Sequence, residues 1–379
     1  MAAAPIYLDH QATTPCAPEV VAAMAPHWSE EFANPSSRSH RLGLQAAVVV
    51  DQAREKLAAN FGVSPQSLVF TSGATEANNL AIKGLCEARI ARGRHLITVA
   101  TEHRAVLDPC LYLAKLGFQL TVLPVNGDGL LDLAQLEAAI QPDTVLVSVM
   151  AANNEIGVLQ PLAAIGAICR NRGIAFHCDG AQLVGHQQIK PFQMGIDLLS
   201  FSGHKFYGPK GCGALLVADG IELAPQLHGG GQEGGRRSGS LCTPLIVGLA
   251  TALDLALADA TQRSHQLGKL RDQLWHGLAE LGGIQLNGAS KPRLAHNLNI
   301  TVADVDGARL HRGLRRGLAV SGGSACSSAT GEPSHVLLAL GRSRLEAAAS
   351  VRFGLGRSTT TLQIQAAVAL FSQVLADLR

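Results

Sequence analysis

Six short apolar runs limit what this chain can fold into: residues 95–100, 119–125, 144–150, 174–178, 196–201 and 213–217 are each nearly continuous in hydrophobic side chains. A strand with one face in water alternates polar and apolar residues, so continuous runs of this length predict strands covered on both faces. Between several of them lie stretches with helical periodicity, at 106–116, 133–140 and 162–170. Strands alternating with helices predict an α/β fold, a mostly parallel sheet sandwiched by helices. In such sheets the polar chemistry gathers at strand ends.

With 379 residues, 47% hydrophobic but only 4% aromatic, and with 40 glycines, the chain can build a large core of Ala, Leu and Val joined by tight turns. Its character changes from residue 261: a helical pattern at 267–281, a strand at 298–302 and a Gly/Ser/Ala-rich segment at 321–331 suggest a second, smaller α/β unit packed on the first. A formal charge of +2 offers no electrostatic basis for binding nucleic acid or an anionic membrane. The opening M-A-A-A-P-I-Y lacks the features of a secretory signal, and no uninterrupted apolar stretch of about 20 residues is present, so a cytoplasmic location is expected. The eight cysteines form no C-x-x-C pair and no metal-ligand rhythm; reduced thiols are expected, with Cys86 and Cys169 reading as small core residues.

The run at 196–201 passes into S-G-H-K-F-Y-G-P-K-G-C-G, which delivers Lys205 at a strand end among residues that allow tight turns. An amine there fits either a surface loop or a Schiff base with a carbonyl cofactor. If the carbonyl belongs to pyridoxal phosphate, the chain must also supply a phosphate cradle, an acid for the ring nitrogen and a group to stack and move protons. Residues 72–75, S-G-A-T, follow a strand and open a helix, so free backbone N–H groups and the Thr75 hydroxyl suit a phosphate, although an ordinary helix cap reads the same way. Asp179 in H-C-D-G-A-Q follows the run at 174–178, where a carboxylate could keep a pyridine nitrogen protonated or simply cap a helix. His103 in T-E-H follows the run at 95–100, either as a group covering the ring or as a satisfied structural histidine. His177, Cys178 and Asp179 make a poor metal site, because adjacent strand residues point to opposite faces.

Taken in order, strand-S-G-A-T, strand-E-H, strand-N-N-E, strand-D-G-A-Q and strand-S-G-H-K closely resemble the class V pyridoxal-phosphate aminotransferases of fold type I. Within that fold family the similarity is to the cysteine desulfurases of the nitrogen-fixation and iron-sulfur-assembly group. It runs from Y-L-D-H-Q-A-T-T-P to V-R-F-G-L-G-R. The resemblance implies a large cofactor domain over 14–258 and a small domain made of 1–13 and 259–379. It further implies pyridoxal 5'-phosphate joined to Lys205, with His103 stacked on the ring, Asp179 paired with its nitrogen and Gln182 bonded to its phenolic oxygen. Ala74, Thr75, Ser202 and His204 would hold the phosphate. Ser240 in R-S-G-S, where the family usually has threonine, would reach the phosphate of the partner in a homodimer. Asn154 and Arg352 would meet the substrate carboxylate. For Arg352 the residues speak independently: Val351, Phe353 and Leu355 alternate as an apolar strand face and leave it on the other side, open to a bidentate carboxylate contact or a surface ion pair.

Cys326, in V-S-G-G-S-A-C-S-S-A-T-G, has almost no apolar neighbours, which argues for thiol chemistry over core packing. The segment resembles the long-loop motif S-S-G-S-A-C-T-S, with Gly322 for serine and Ser327 for threonine. That resemblance implies L-cysteine as substrate, L-alanine as product, and a persulfide on Cys326 destined for an acceptor such as an iron-sulfur scaffold protein. The rival readings are a C–S lyase, a selenocysteine lyase or an aminotransferase of the same fold, and a cofactor-free scaffold for sulfur assembly.

Overall fold

The computed structural model describes residues 4–323 and 332–379, and Cys326 lies outside them. Strands among the described residues are β1 (Ile6–Tyr7), β2 (Leu68–Thr71), β3 (His95–Val99), β4 (Gln119–Leu123), β5 (Thr144–Ser148) and β6 (Ala175–Asp179). They continue with β7 (Leu198–Ser202), β8 (Gly213–Val217), β9 (Ile284–Leu286), β10 (Asn297–Val302), β11 (Leu318–Ala319) and β12 (Ser350–Gly354). Seven of them form one sheet in the order β2-β8-β7-β6-β5-β3-β4. β7, β6, β5, β3 and β4 run parallel, neighbour to neighbour, whereas β8 is antiparallel to both β7 and β2. The reversal follows from chain length, since residues 203–212 are too few for the crossover that a parallel partner needs.

Every residue of β3, β5, β6, β7 and β8 is buried, as the continuous apolar runs require, while the edge strand β4 exposes Gln119 and Val122. Side chains of β3 part to the two faces. Ile97 and Val99 join one apolar cluster with Leu57, Ile165 and Leu249, and Leu96 joins another with Leu80, Val106 and Leu113. From β3 the chain moves outward to β4 and then returns to β5 on the other side. The carboxyl ends of β3 and β5 therefore diverge at a topological switch, where a crevice opens.

A separate antiparallel sheet has the order β12-β10-β9. Helices Ala260–Ala279 and Thr361–Leu378 cover one face of it, with Leu267, Leu274 and Leu278 packed among Ile364, Phe371, Leu298, Ile300, Val351 and Phe353. By length and composition alone Thr361–Leu378 could cross a membrane, which the sequence reading did not anticipate; its Ile364, Ala367, Phe371 and Leu375, at spacings of three and four, belong to the apolar core. The opposite face is polar. Asn297 and Asn299 donate from Nδ2 to the Glu155 carbonyl at 2.9 and 3.1 Å, and Asn299 stands across from Arg352 in the strand pair. The polar face is thereby pressed against the strand ends of the large sheet.

The glycine-rich loop at 229–239 is anchored by Glu233 and by Arg237, which pairs with Glu76. Glu233 is buried and accepts from Arg54 at 2.5 and 3.1 Å and from the Phe70 N–H at 2.7 Å. Glu233→Ala would leave the Arg54 guanidinium without its anion and is expected to lower stability by about 3 kcal/mol, read as a lower urea midpoint. An unchanged midpoint would show that this pair does not hold the loop.

Several histidines are buried as neutral rings. His177 bonds the Ser148 and Ser200 hydroxyls at 2.8 and 3.0 Å, and burial drives its pKa down to about 3. His186 stacks on His296 with ring centres 4.1 Å apart; burial lowers the first to about 4 and the second well below the ordinary value. The unfolded chain takes up these protons near pH 6.5 and the folded chain does not, so their contribution is present above that pH and is lost as pH falls. Glu102 and Asp197, raised by burial, act in the opposite sense but are outnumbered, because His10 and His204 are also lowered to about 4. The urea midpoint is expected to fall between about pH 7 and about pH 5; a midpoint that stayed level or rose would contradict this balance.

Candidate active site

A cavity of about 470 Å³ opens at the carboxyl ends of β3, β5, β6 and β7. Its walls include Ala74, Thr75, His103, Asn154, Asp179, Gln182, Ser202, His204, Lys205 and Arg352, so ten of the residues singled out in the sequence converge on one space. Ser240 is exposed and is not among the lining residues, and Cys326 falls outside the described chain.

Lys205 ends the short turn Gly203–Lys205 directly after β7. Its Nζ donates to the carbonyls of Gln11 and Ala12 at 2.8 and 2.9 Å. The following turn is tight. Tyr207 adopts φ 69°, donates its N–H to Thr14 Oγ1 at 2.7 Å and accepts the Arg357 N–H at its hydroxyl at 2.6 Å. Gly213, where β8 begins, has no room for a side chain: a Cβ there would lie 2.3 Å from the Phe201 carbonyl oxygen and 2.7 Å from Gly73 Cα. That contact seats the start of β8 against Gly73, beside the opening of the next helix.

Helix Ala74–Ala88 begins without a side-chain cap, and Gly73 before it has φ 149°. Uncapped N–H groups at a helix start favour an anion. Thr75, Ser202 and His204 share this end of the cavity, and His204 Nδ1 lies 3.1 Å from the Thr13 hydroxyl. Burial, reinforced by Lys205 and Lys210, lowers the His204 pKa to about 4.

Asp179 closes β6 and is almost wholly buried. Asn78 Nδ2 donates to its Oδ2 at 2.7 Å, and the Ala181 N–H donates to Oδ1 at 2.9 Å. Gln182 Nε2 donates to the Gln11 carbonyl at 3.2 Å. His103 caps helix Arg104–Lys115, its Nδ1 accepting the Ala105 N–H at 3.1 Å. Burial lowers its pKa, with Asp179 working against the shift and Lys205 with it. The ring is therefore neutral at pH 7, with its proton on Nε2.

On β12, Arg352 is 2% exposed. Its Nη1 donates to the Asn154 carbonyl at 2.9 Å and its Nη2 to Asp9 Oδ1 at 2.6 Å, while Nε and Asn154 Oδ1 are buried without a partner among the described residues. The sequence reading missed Asp9, Gln11 and Asn78, which touch Arg352, Lys205 and Asp179. Asp9 and Gln11 belong to a polar stretch after the first strand that was legible as polar only, and nothing in the pattern marked Asn78.

The aldehyde, phosphate and ring nitrogen of pyridoxal phosphate would each find a suitable group in this cavity. Lys205 can join its aldehyde, the uncapped helix start with Thr75, Ser202 and His204 can hold its phosphate, and Asp179 can face its ring nitrogen. The Arg352 guanidinium, in the same wall, remains for a further anionic group.

Comparison with known proteins identifies the family. Residues 6–367 match the aminotransferase class-V family. The chain is 50% identical over 377 residues to the cysteine desulfurase IscS of Methylococcus capsulatus, covering 99% of this chain and 93% of that one. It is 49% identical over 378 residues to the cysteine desulfurase IscS of Dechloromonas aromatica, with the same coverage. Among solved structures, a NifS-like protein superposes with a TM-score of 0.93 at 34% identity, covering 99% of this chain and all of the other. SspA in complex with cysteine superposes with a TM-score of 0.82 at 40% identity, covering 92% of this chain and 98% of that one. The chain belongs to the class-V aminotransferase family and, within it, to the cysteine desulfurases.

Proposed function

We propose that the cavity takes sulfur from L-cysteine with pyridoxal 5'-phosphate as cofactor, releasing L-alanine and leaving a persulfide on Cys326. The observation that carries this reading is a buried guanidinium facing the same space as a strand-end lysine. The Arg352 guanidinium suits the α-carboxylate of an amino acid, and Lys205 suits the carbonyl that would engage its amine. When bound, the cofactor draws electrons from the α-carbon of the amino acid joined to it and so acidifies that C–H.

The remaining work falls to the chain. Lys205 Nζ, as a neutral amine, takes the α proton. Asp179, held by Asn78 and the Ala181 N–H, turns its charge toward the ring nitrogen. His103 exchanges a proton with the substrate or enzyme thiol through Nε2, its Nδ1 being engaged by the Ala105 N–H. The Cys326 thiolate then adds to the substrate sulfur. The S–S bond forms as the Cβ–S bond breaks, the bonding pair passes to Cβ, Cβ takes a proton, and Lys205 returns a proton to the α-carbon to give alanine. The persulfide sulfur is handed to an acceptor such as an iron-sulfur scaffold protein. We assign the reaction to the cytoplasm, where thiols stay reduced, and divide the chain into a cofactor domain over 14–258 and a small domain made of 1–13 and 259–379.

The same reading makes the enzyme a homodimer in which Ser240 reaches the partner's phosphate site. Two features support it. Arg237, in the same loop as Ser240, pairs with Glu76 of the cavity wall at 2.6 Å, and exposed Phe32, Leu42, Leu44 and Val48 line a cleft of about 440 Å³ that suits a second copy.

Incubation with L-cysteine is expected to add one sulfur to Cys326 by mass spectrometry while alanine appears; Cys326→Ser should abolish both, and an unchanged alanine rate in that variant would sink the assignment. Borohydride should reduce a chromophore onto Lys205, and its absence from purified protein would favour a cofactor-free scaffold. Sedimentation should report a dimer, with Ser240→Ala weakening cofactor retention about tenfold through one lost hydrogen bond to phosphate; a monomer that retains full activity would refute the shared site.

A further inference from the structure

We propose that Asp9 is a positioning residue for substrate binding, fixing the guanidinium of Arg352 so that it meets the incoming carboxylate in one orientation. The inference rests on the reading of Arg352 as the carboxylate clamp. Two different nitrogens of that guanidinium are tied down, Nη1 by the Asn154 carbonyl and Nη2 by Asp9 Oδ1. Together they set the plane of the group and leave Nε without a partner among the described residues. A planar fork binds a carboxylate well only in a narrow range of orientations, so holding the plane matters as much as holding the charge.

The fold is built to bring Asp9 there. The segment after β1 runs against β12, with the Gly354 N–H donating to the Leu8 carbonyl at 2.7 Å and the His10 N–H donating to the Gly354 carbonyl at 3.0 Å. A Cβ on residue 354 would lie 2.7 Å from the Gln11 nitrogen, so the approach requires glycine at that position. Tyr7 steadies the turn from outside, its hydroxyl donating to the carbonyls of Asp9 and Thr13 at 3.2 and 3.1 Å. The Asp9 side chain is 20% exposed against 2% for Arg352, so the anion reaches inward from the rim to a largely buried cation. Before substrate arrives, Asp9 is the anion paired with that buried charge. Without it, the guanidinium keeps one carbonyl contact about which it can turn.

The test compares the holoenzyme with its Asp9→Ala and Asp9→Asn variants, using L-cysteine and the carboxylate-free probe cysteamine. In Asp9→Ala, KM for L-cysteine should rise about tenfold with kcat changed by less than about twofold, the pattern of lost binding shared by ground and transition states. Inhibition by cysteamine should be unchanged, because it offers nothing to Arg352. Asp9→Asn keeps an oxygen acceptor in place and should bring KM back to within about threefold of the parent. An unchanged KM in Asp9→Ala, equal weakening of L-cysteine and cysteamine, or an Asp9→Asn variant as impaired as Asp9→Ala would each overturn the proposal. Arg352→Gln tests the underlying reading separately: an unchanged KM there removes the clamp itself, and Asp9's role with it.

Discussion

A sheet buried on both faces has only its ends left for polar chemistry, and the cavity obeys that constraint. The interior strands carry apolar side chains to helices above and below, so a charged group within them would have no water to meet. At the carboxyl ends the backbone turns out of the sheet. His103, Asn154, Asp179 and Lys205 come from four neighbouring strand ends and therefore arrive side by side, although 102 positions of sequence separate the first from the last (205 − 103). The polar face of the antiparallel sheet supplies the remaining wall through Arg352.

Burying so many polar groups together requires each to be answered. Asp179 is answered by Asn78 and a backbone N–H, and Arg352 by Asp9 and a carbonyl. Glu102 shows the other solution. Fully buried, it accepts the Met150 N–H at 2.5 Å, and burial lifts its pKa well above the usual carboxyl range, which favours the uncharged form. Glu155, also buried, accepts the Ser334 hydroxyl at 2.5 Å, and His335 donates to the Glu102 carbonyl at 2.9 Å. The two glutamates of the T-E-H and N-N-E clusters thus serve the join between the sheets rather than the cavity.

Much of this was legible in the sequence because it is local. Continuous apolar runs mark strands, periodic ones mark helices, and polar residues immediately after a run must lie at a strand end. Arg352 could be assigned a side of its strand because Val351, Phe353 and Leu355 alternate around it. What could not be read is long-range. Asp9 and Arg352 are 343 positions apart, and Lys205 is 194 positions from the Gln11 carbonyl it bonds. Neither pairing leaves a periodic trace, and the acceptors at Gln11 and Ala12 are backbone atoms that carry no side-chain signature. The antiparallel direction of β8 is an intermediate case, recoverable from the short 203–212 connection but not from the strand's own composition. The glycine-rich loop likewise concealed Glu233, a buried side chain that helps tie it down.

The threading of the first strand also governs the order in which the enzyme can be completed. β1 pairs in parallel with β11, and Asp9 is bridged to Gly354, so the segment that supplies Lys205 with its carbonyl acceptors, although bonded to Tyr207 and Gln182, lacks its outer anchors until residues near 318 and 354 exist. A ribosome releases the chain from its amino end, and the large sheet can gather while synthesis proceeds. The amino-terminal stretch must nevertheless wait for nearly the last residues made. A nascent chain can hold the framework of the cavity, but only a finished one can hold its floor.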